Sequence, residues 1–153
     1  MIETQGNILD SGAAVVVIPV NTFGIAGAGL ALAAKQRWPK WFRDYAGHCD
    51  CRNLRPGDAL LHPSDVANAP RIVSLATKDN WRRPSRPGWV HSGLLLLAAQ
   101  MEQLRPASIA IPALGCGRGS LAWPDVRPLI VAAAARMEAA GVQAMVFPPG
   151  AER

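Results

Sequence analysis

The sequence predicts an α/β domain in which helices cover both faces of a mixed, largely parallel sheet of about six strands, and three observations carry that expectation. Short apolar runs alternate with longer stretches of helix-forming composition. Gly, Pro and Asn punctuate the boundaries between them. Two glycine-rich segments each follow directly on a buried apolar run.

Met1 to Gln5 reads as an added N-terminal strand, the element expected to make the sheet mixed. Ala13 to Val20 is continuously apolar and valine-rich between Gly12 and Asn21, which suits a strand buried on both faces. Leu30 to Arg37 is helical in composition and is stopped by Pro39 just after Trp38. A second short helix is expected from Pro39 or Lys40 to about His48, with the proline tolerated in its first turn. Pro56-Gly57 marks a turn, after which Asp58 to His62 and Ile72 to Thr77 read as strands separated by a polar loop. Lys78 to Pro87 holds four basic residues, two prolines and Trp81 and reads as a surface loop. Trp89 to Leu104 is a helix, Ser108 to Pro112 a strand, Pro124 to Ala140 a helix closed by Gly141, and Val142 to Phe147 the last strand. Asp125 falls near the start of its helix, where a carboxylate favours the helix dipole.

The length of 153 residues suits one domain spanning 1–153, and a hydrophobic fraction of 50% supports a packed core rather than disorder. No apolar run approaches the roughly 20 residues that cross a bilayer, and the N-terminus lacks the basic and apolar regions of a signal peptide. A cytoplasmic protein without a membrane partner is therefore expected. Cys49, Cys51 and Cys116 do not form a disulfide framework, and His48-Cys49-Asp50-Cys51 lacks the second ligand pair that would close a tetrahedral zinc site; neither metal nor cofactor is expected. The formal charge of +5 favours anionic partners: phosphates, nucleotides or nucleic acid.

The two glycine-rich loops run from Asn21 to Gly29 and from Ala113 to Leu121. Ligands of α/β sheets gather at the carboxyl ends of strands, and glycine lets backbone amides approach a phosphate closely, so the pair suggests a pyrophosphate clamp. A P-loop would need a lysine and Ser/Thr that are absent, and no strand-ending acid follows at Rossmann spacing. Trp81, Arg82, Arg83, Arg86 and Trp89 interleave aromatic and basic groups, a pattern that can stack a base and hold the backbone of a single strand. Core anchoring of the tryptophans beneath a solvated arginine rim accounts for it equally well. Trp38, Trp41 and Trp123 read as packing residues, and His62 and His91, with no partner that marks a triad, as structural.

The string Gly6-Asn7-Ile8-Leu9, Pro19 to Gly24 and Gly27-Ala28-Gly29-Leu30-Ala31 resembles the macrodomain family. The likeness continues through Pro56-Gly57, Thr77-Lys78, Trp81-Arg82, Ile111 to Gly117, Leu121 and Trp123, in the order of the branch holding the DarG-type antitoxin macrodomains and the terminal ADP-ribose protein glycohydrolase. It implies a three-layer α/β/α fold with an ADP-ribose cleft across the strand ends. Asn7 and Ile8 fall where the family holds adenine, many members having aspartate at the place of Asn7. Asn21 and the loop Gly24 to Gly29, with Gly27, are expected around the distal ribose, and Thr22, Leu30 and Thr77 are further expected ligand contacts. Leu114, Gly115, Cys116, Gly117, Arg118, Gly119 and Ser120 are expected at the phosphates.

The resemblance makes Lys78 the catalytic residue, with Asn21 beside it, acting at the anomeric carbon of the distal ribose. An amine works as a nucleophile only if desolvation or a nearby cation brings its pKa toward neutrality, and Arg82, Arg83 and Arg86 are close in sequence. The glycohydrolase has an aspartate where this chain has Gly119; the antitoxin members have glycine there too. The implied function is metal-independent removal of mono-ADP-ribose from a modified DNA base or protein carboxylate, with Trp81, Arg82 and Arg83 as nucleic-acid contacts. A non-catalytic ADP-ribose reader and an ADP-ribose 1″-phosphatase are the alternatives. A cognate ADP-ribosyltransferase toxin is a candidate partner. Antitoxin members carry a further C-terminal segment, and this sequence ends soon after its last strand, which leaves an independent enzyme equally open.

Overall fold

A computed structural model describes residues 1–68 and 70–150. The six strands are β1 (Ile2–Glu3), β2 (Val15–Val20), β3 (Ala59–Leu61), β4 (Arg71–Ala76), β5 (Ser108–Pro112) and β6 (Gln143–Phe147). The helices are α1 (Gly29–Arg37), α2 (Pro39–Asp50), α3 (Pro87–Leu104) and α4 (Trp123–Ala139). The strands form one sheet in the order β1-β6-β5-β2-β4-β3. Its mixed character comes from β3, which pairs antiparallel with β4; the N-terminal strand β1 runs parallel to β6. The expectation that β1 would be the odd strand is thus corrected. The turn at Pro56-Gly57, with the Gly57 amide donating to the Ala76 carbonyl at 2.8 Å, sets the start of β3 beside the end of β4.

Alternation along β2 sets up the layers. Val15 and Val17 pack into a core with α3 and α4, while Val16, Ile18 and Val20 pack into a second core with α1 and α2. Continuous apolarity in β2 therefore reflects burial on both faces, as the sequence pattern requires. Helix α3 lies so close on β4 that a Cβ at Gly93 would come within 2.5 Å of the Leu75 side chain. Most ends fall within two residues of their expected positions. Helix α3 begins at Pro87, two residues early, because a proline at the first helical position costs no hydrogen bond. Pro128 lies inside α4, on its exposed face and in its second turn, where the carbonyl it fails to engage can be met by water.

The second core contains a polar chain that the sequence conceals. His62 is fully buried; its Nδ1 lies 2.6 Å from Asp44 Oδ2 and its Nε2 2.7 Å from Ser74 Oγ, which also accepts from Trp41 Nε1 at 3.0 Å. His62 thus has the partners that its sequence context did not show. The arrangement resembles a nucleophile–base–acid relay, yet Ser74 is itself fully buried. Its effect is structural: it satisfies three polar groups under β4 and α2.

Burial lowers the His62 pKa below the ordinary 6.5 against the opposing pull of Asp44, so the folded protein holds the ring neutral. The unfolded chain then binds a proton that the folded chain refuses. This contribution to stability is complete above the unfolded value and is lost as pH falls below it. Urea unfolding between pH 7.5 and pH 5 should show a steeper loss of stability in the natural protein than in His62→Gln, which cannot titrate.

Candidate active site

The connections out of β2 and β5 leave the sheet on opposite faces, toward α1 and α4 respectively, so their loops splay apart above neighbouring strands. A crevice opens where adjacent parallel strands diverge in this way. It is a cleft of about 1260 Å³, lined by the ends of β2 and β5, by both glycine-rich loops, by Thr77 and Lys78 after β4, and by Phe147 to Gly150 after β6.

The first wall is stiffened from below. Asn21, almost fully buried, donates from Nδ2 to the Ile25 carbonyl at 2.7 Å, and its Oδ1 accepts from the amides of Phe23 and Ile25 at 2.9 and 3.3 Å. The Tyr45 hydroxyl donates to the Asn21 carbonyl at 2.7 Å, and its ring stacks on Trp41 with centroids 5.6 Å apart. Burial holds the phenol far above its ordinary pKa, so it remains a donor. Asn21 is thereby committed to shaping its loop. The wall ends at Gly29, where α1 starts behind Ala28, a residue whose side chain cannot cap it. The first-turn amides of α1 are left for an anion in the cleft, with the positive end of the helix behind them.

The second wall runs from Ala113 to Leu121. Leu121 N donates back to the Gly115 carbonyl at 2.9 Å, folding the loop on itself. Among the described residues, the amides of Gly117, Arg118 and Gly119 have no protein acceptor. A Cβ at residue 119 would overlap both the Gly115 carbonyl oxygen and Ser85 Oγ, so only glycine fits. The aspartate found there in the terminal glycohydrolase has no room in this loop. Ser85, buried beneath the wall, donates its amide to the Gly119 carbonyl at 2.9 Å, and its hydroxyl has no partner among the described residues.

Lys78 projects between the walls. Its Nζ donates to the Arg118 carbonyl at 2.9 Å and lies 3.4 Å from the Trp81 carbonyl. Partial burial, and then the charge of Arg118, lower its pKa below the ordinary 10.5. The two carbonyls can take both hydrogens of a neutral amine and leave its lone pair free.

Of the residues singled out in the sequence, the structure brings Asn21, Gly27, Gly29, Leu30, Thr77, Lys78, Trp81, Arg82, Gly115, Cys116, Gly117, Arg118 and Gly119 to the cleft. Thr22, Gly24, Leu114, Ser120 and Arg83 are close in sequence but do not line it. Thr22 instead ties the first wall to the Lys78 loop, its amide donating to the Asp79 carbonyl at 3.1 Å, while Gly24 packs on Ala46 and Cys49 of α2. Asn7 and Ile8 lie outside the cleft as well. Asn7 accepts from the Leu9 amide at 3.0 Å in a short 3-10 turn, and Ile8 is wholly buried in the second core. Ile25, Ala26 and Ala28 reach the cleft with the glycine-rich loop that holds them, whereas sequence reasoning missed Ala31 and the segment Phe147 to Gly150. Parallel pairing of β6 with β5 could have revealed that segment, since it sends the end of β6 to the same edge of the sheet.

The chain matches the Macro domain family over residues 17–130. It is 36% identical over 146 residues to a DNA ADP-ribosyl glycohydrolase of Thermus aquaticus, covering 95% of this chain and 40% of that protein. It thus spans about two-fifths of the length of that curated relative. The macrodomain of Mycobacterium tuberculosis DarG superposes with a TM-score of 0.89 at 31% identity, covering 97% of this chain and 99% of the other. DarTG of Thermosipho africanus in complex with ADP-ribose superposes with a TM-score of 0.87 at 26% identity, covering 97% of this chain and 41% of that one. With the family matched over most of its length and the fold shared end to end, this chain belongs to the macrodomain family.

Proposed function

We propose that this macrodomain binds ADP-ribose attached to a DNA base and releases it, with Lys78 as the nucleophile and without a metal ion. The observation that carries the reading is the position of a partly desolvated amine in the cleft between two walls of unpaired backbone amides. The free amides of Gly117 to Gly119 and the uncapped start of α1 suit the diphosphate. The segment Phe147 to Gly150, at and beyond the end of β6, lines the cleft and is the place for the adenine instead of Asn7 and Ile8. The neutral Lys78 amine adds to C1″ of the distal ribose. The bond from C1″ to the base breaks, and the base leaves with a proton. Water then displaces the amine, which restores Lys78 and frees ADP-ribose.

Three features favour a DNA base over a protein carboxylate. Ile25 and Trp81 line the cleft together with Lys78 and are more than two-fifths exposed, a surface on which a planar base can rest. Arg82 lies over the Trp81 ring, 4.7 Å from its centroid, and Arg83 follows it. Glycine is obligatory at 119, which removes the acid of the glycohydrolase relative. The same reading has the protein act in the cytoplasm, opposite a transferase that adds the group. Among the described residues no helix is long and apolar enough to cross a membrane.

Incubation with an ADP-ribosylated oligonucleotide, a glutamate-modified protein and ADP-ribose 1″-phosphate separates the possible activities. Release from the oligonucleotide is expected; tight ADP-ribose binding without release from any of the three would make the protein a reader. Since the reaction needs the neutral amine, kcat/KM should rise with pH up to the lowered Lys78 pKa. Arg118→Gln removes the neighbouring charge and should move that limb to higher pH; a limb that stays in place would remove Arg118 from the tuning of the amine.

A further inference from the structure

The loop that follows Lys78 carries a second aromatic and basic step outside the cleft, and it has no role in holding ADP-ribose. Arg82 stacks on Trp81 at the cleft mouth, and the pairing recurs farther along, where the Arg86 guanidinium lies 4.9 Å from the Trp89 ring centroid. Arg86 is exposed and Trp89 half-buried, and neither lines the cleft. No acidic residue occurs between Asp79 and Glu102, and among the described residues Arg82, Arg83 and Arg86 make no ion pair.

The loop is also held in shape. The amides of Arg82 and Arg83 donate to the Asn80 side chain and carbonyl, each at 3.0 Å. Ser85 is pinned to the Gly119 carbonyl at 2.9 Å, and Trp89 N donates to the Arg86 carbonyl at 3.0 Å. Two prolines, Pro84 and Pro87, restrict the remainder. Unneutralised guanidinium groups at fixed positions, each lying on an indole, form a preorganised surface for a polyanion whose bases can stack. A protein acceptor would offer neither the repeated charge nor the repeated flat ring.

We propose that Arg86 and Trp89 form a subsite for a nucleotide flanking the modified base, so that the acceptor strand leaves the cleft over Trp81 and Arg82 and continues along this loop in one direction only. The inference rests on the reading of the cleft as a site for an ADP-ribosylated DNA base. It predicts that the enzyme feels the strand on one side of the modification and is indifferent to the other, because among the described residues the remaining arginine–indole pair, Arg37 on Trp38, does not line the cleft.

The test compares four substrates: an ADP-ribosylated nucleoside, and oligonucleotides in which the modified base has two extra nucleotides on the 5′ side, on the 3′ side or on both. Released ADP-ribose is measured to give kcat and KM. One of the two single-sided extensions should lower KM by about five-fold or more relative to the nucleoside, the lower end of what one stacked base contributes. The double extension should add little to it. Arg86→Glu and Trp89→Ala should each abolish that gain while leaving kcat and KM for the nucleoside unchanged. Trp89→Phe should retain most of it. Arg86→Gln should also reduce the slope of log KM against log salt by about 0.7, the loss of one contact to a single-strand phosphate. Arg86 is exposed, so its variants keep the test valid should Trp89→Ala fail to fold.

A gain that survives in both Arg86→Glu and Trp89→Ala, or equal KM for all four substrates, overturns the subsite while leaving the reading of the cleft intact. Absence of release from every DNA substrate overturns that reading itself.

Discussion

Lys78→Ala should lower the rate of ADP-ribose release by about two to four orders of magnitude, the span associated with losing a positioned catalytic group. The dissociation constant for free ADP-ribose should change only a few-fold. The separation of the two effects follows from the site. Lys78 reaches into the cleft from the end of β4, while the groups suited to the diphosphate are backbone amides on the other two walls. Isothermal titration gives the affinity and single-turnover release gives the chemistry. Equal release by the variant would remove the amine from the mechanism. Loss of binding in step with loss of rate would mean that Lys78 serves mainly to neutralise phosphate. Lys78→Arg is the informative companion: it keeps the charge but cannot supply a neutral amine, so it should bind and still fail to turn over.

Gly119→Ala should weaken ADP-ribose binding by about five-fold to a hundred-fold, the effect of an overpacking strain of about 1–3 kcal/mol expressed at the ligand. A methyl group at this position would collide with the Gly115 carbonyl of the same loop and with Ser85 of the loop after β4, so the second wall must shift. The shift would displace the Gly117, Arg118 and Gly119 amides together and would carry the Arg118 carbonyl away from Lys78. Binding and catalysis should therefore fall together, in contrast to Lys78→Ala. Gly119→Asp should be worse than Gly119→Ala, although a related enzyme uses aspartate there. Titration of both variants, with thermal melting as a check on folding, measures the effect; unchanged affinity in Gly119→Ala would show that the wall has slack which the packing does not suggest.

Much of this was legible in the residues. Valine runs bounded by Gly and Asn marked β2, and prolines marked the starts of α2 and α4, because these signals act within a few residues of chain. The carboxyl ends of β2 and β5 could be read as site positions from the same local evidence, whereas the end of β4, with Lys78, came from the family resemblance. What escaped depends on contacts distant in sequence. The antiparallel course of β3 is fixed by its pairing with β4, which strand composition does not encode. Asp44, His62 and Ser74 come from three elements and meet only because α2 packs across β4. Asn7 and Ile8 were assigned by likeness of sequence. Ile8 went to the core because an isoleucine at the edge of the second cluster removes more apolar surface inside than it could in an open cleft. The segment after β6 carries no chemical signature, and only the direction of its strand brings it to the cleft.

The missing cap on α1 has a consequence for how the empty molecule is maintained. Serine or aspartate in place of Ala28 would close the exposed end of the helix and contribute about 1 kcal/mol to the unliganded protein. That side chain would then compete with the diphosphate for the same hydrogen-bond donors. Heat resistance and occupancy are therefore opposed at a single residue, and a bound anion would serve as the missing cap on the first turn of a helix that the chain leaves unfinished.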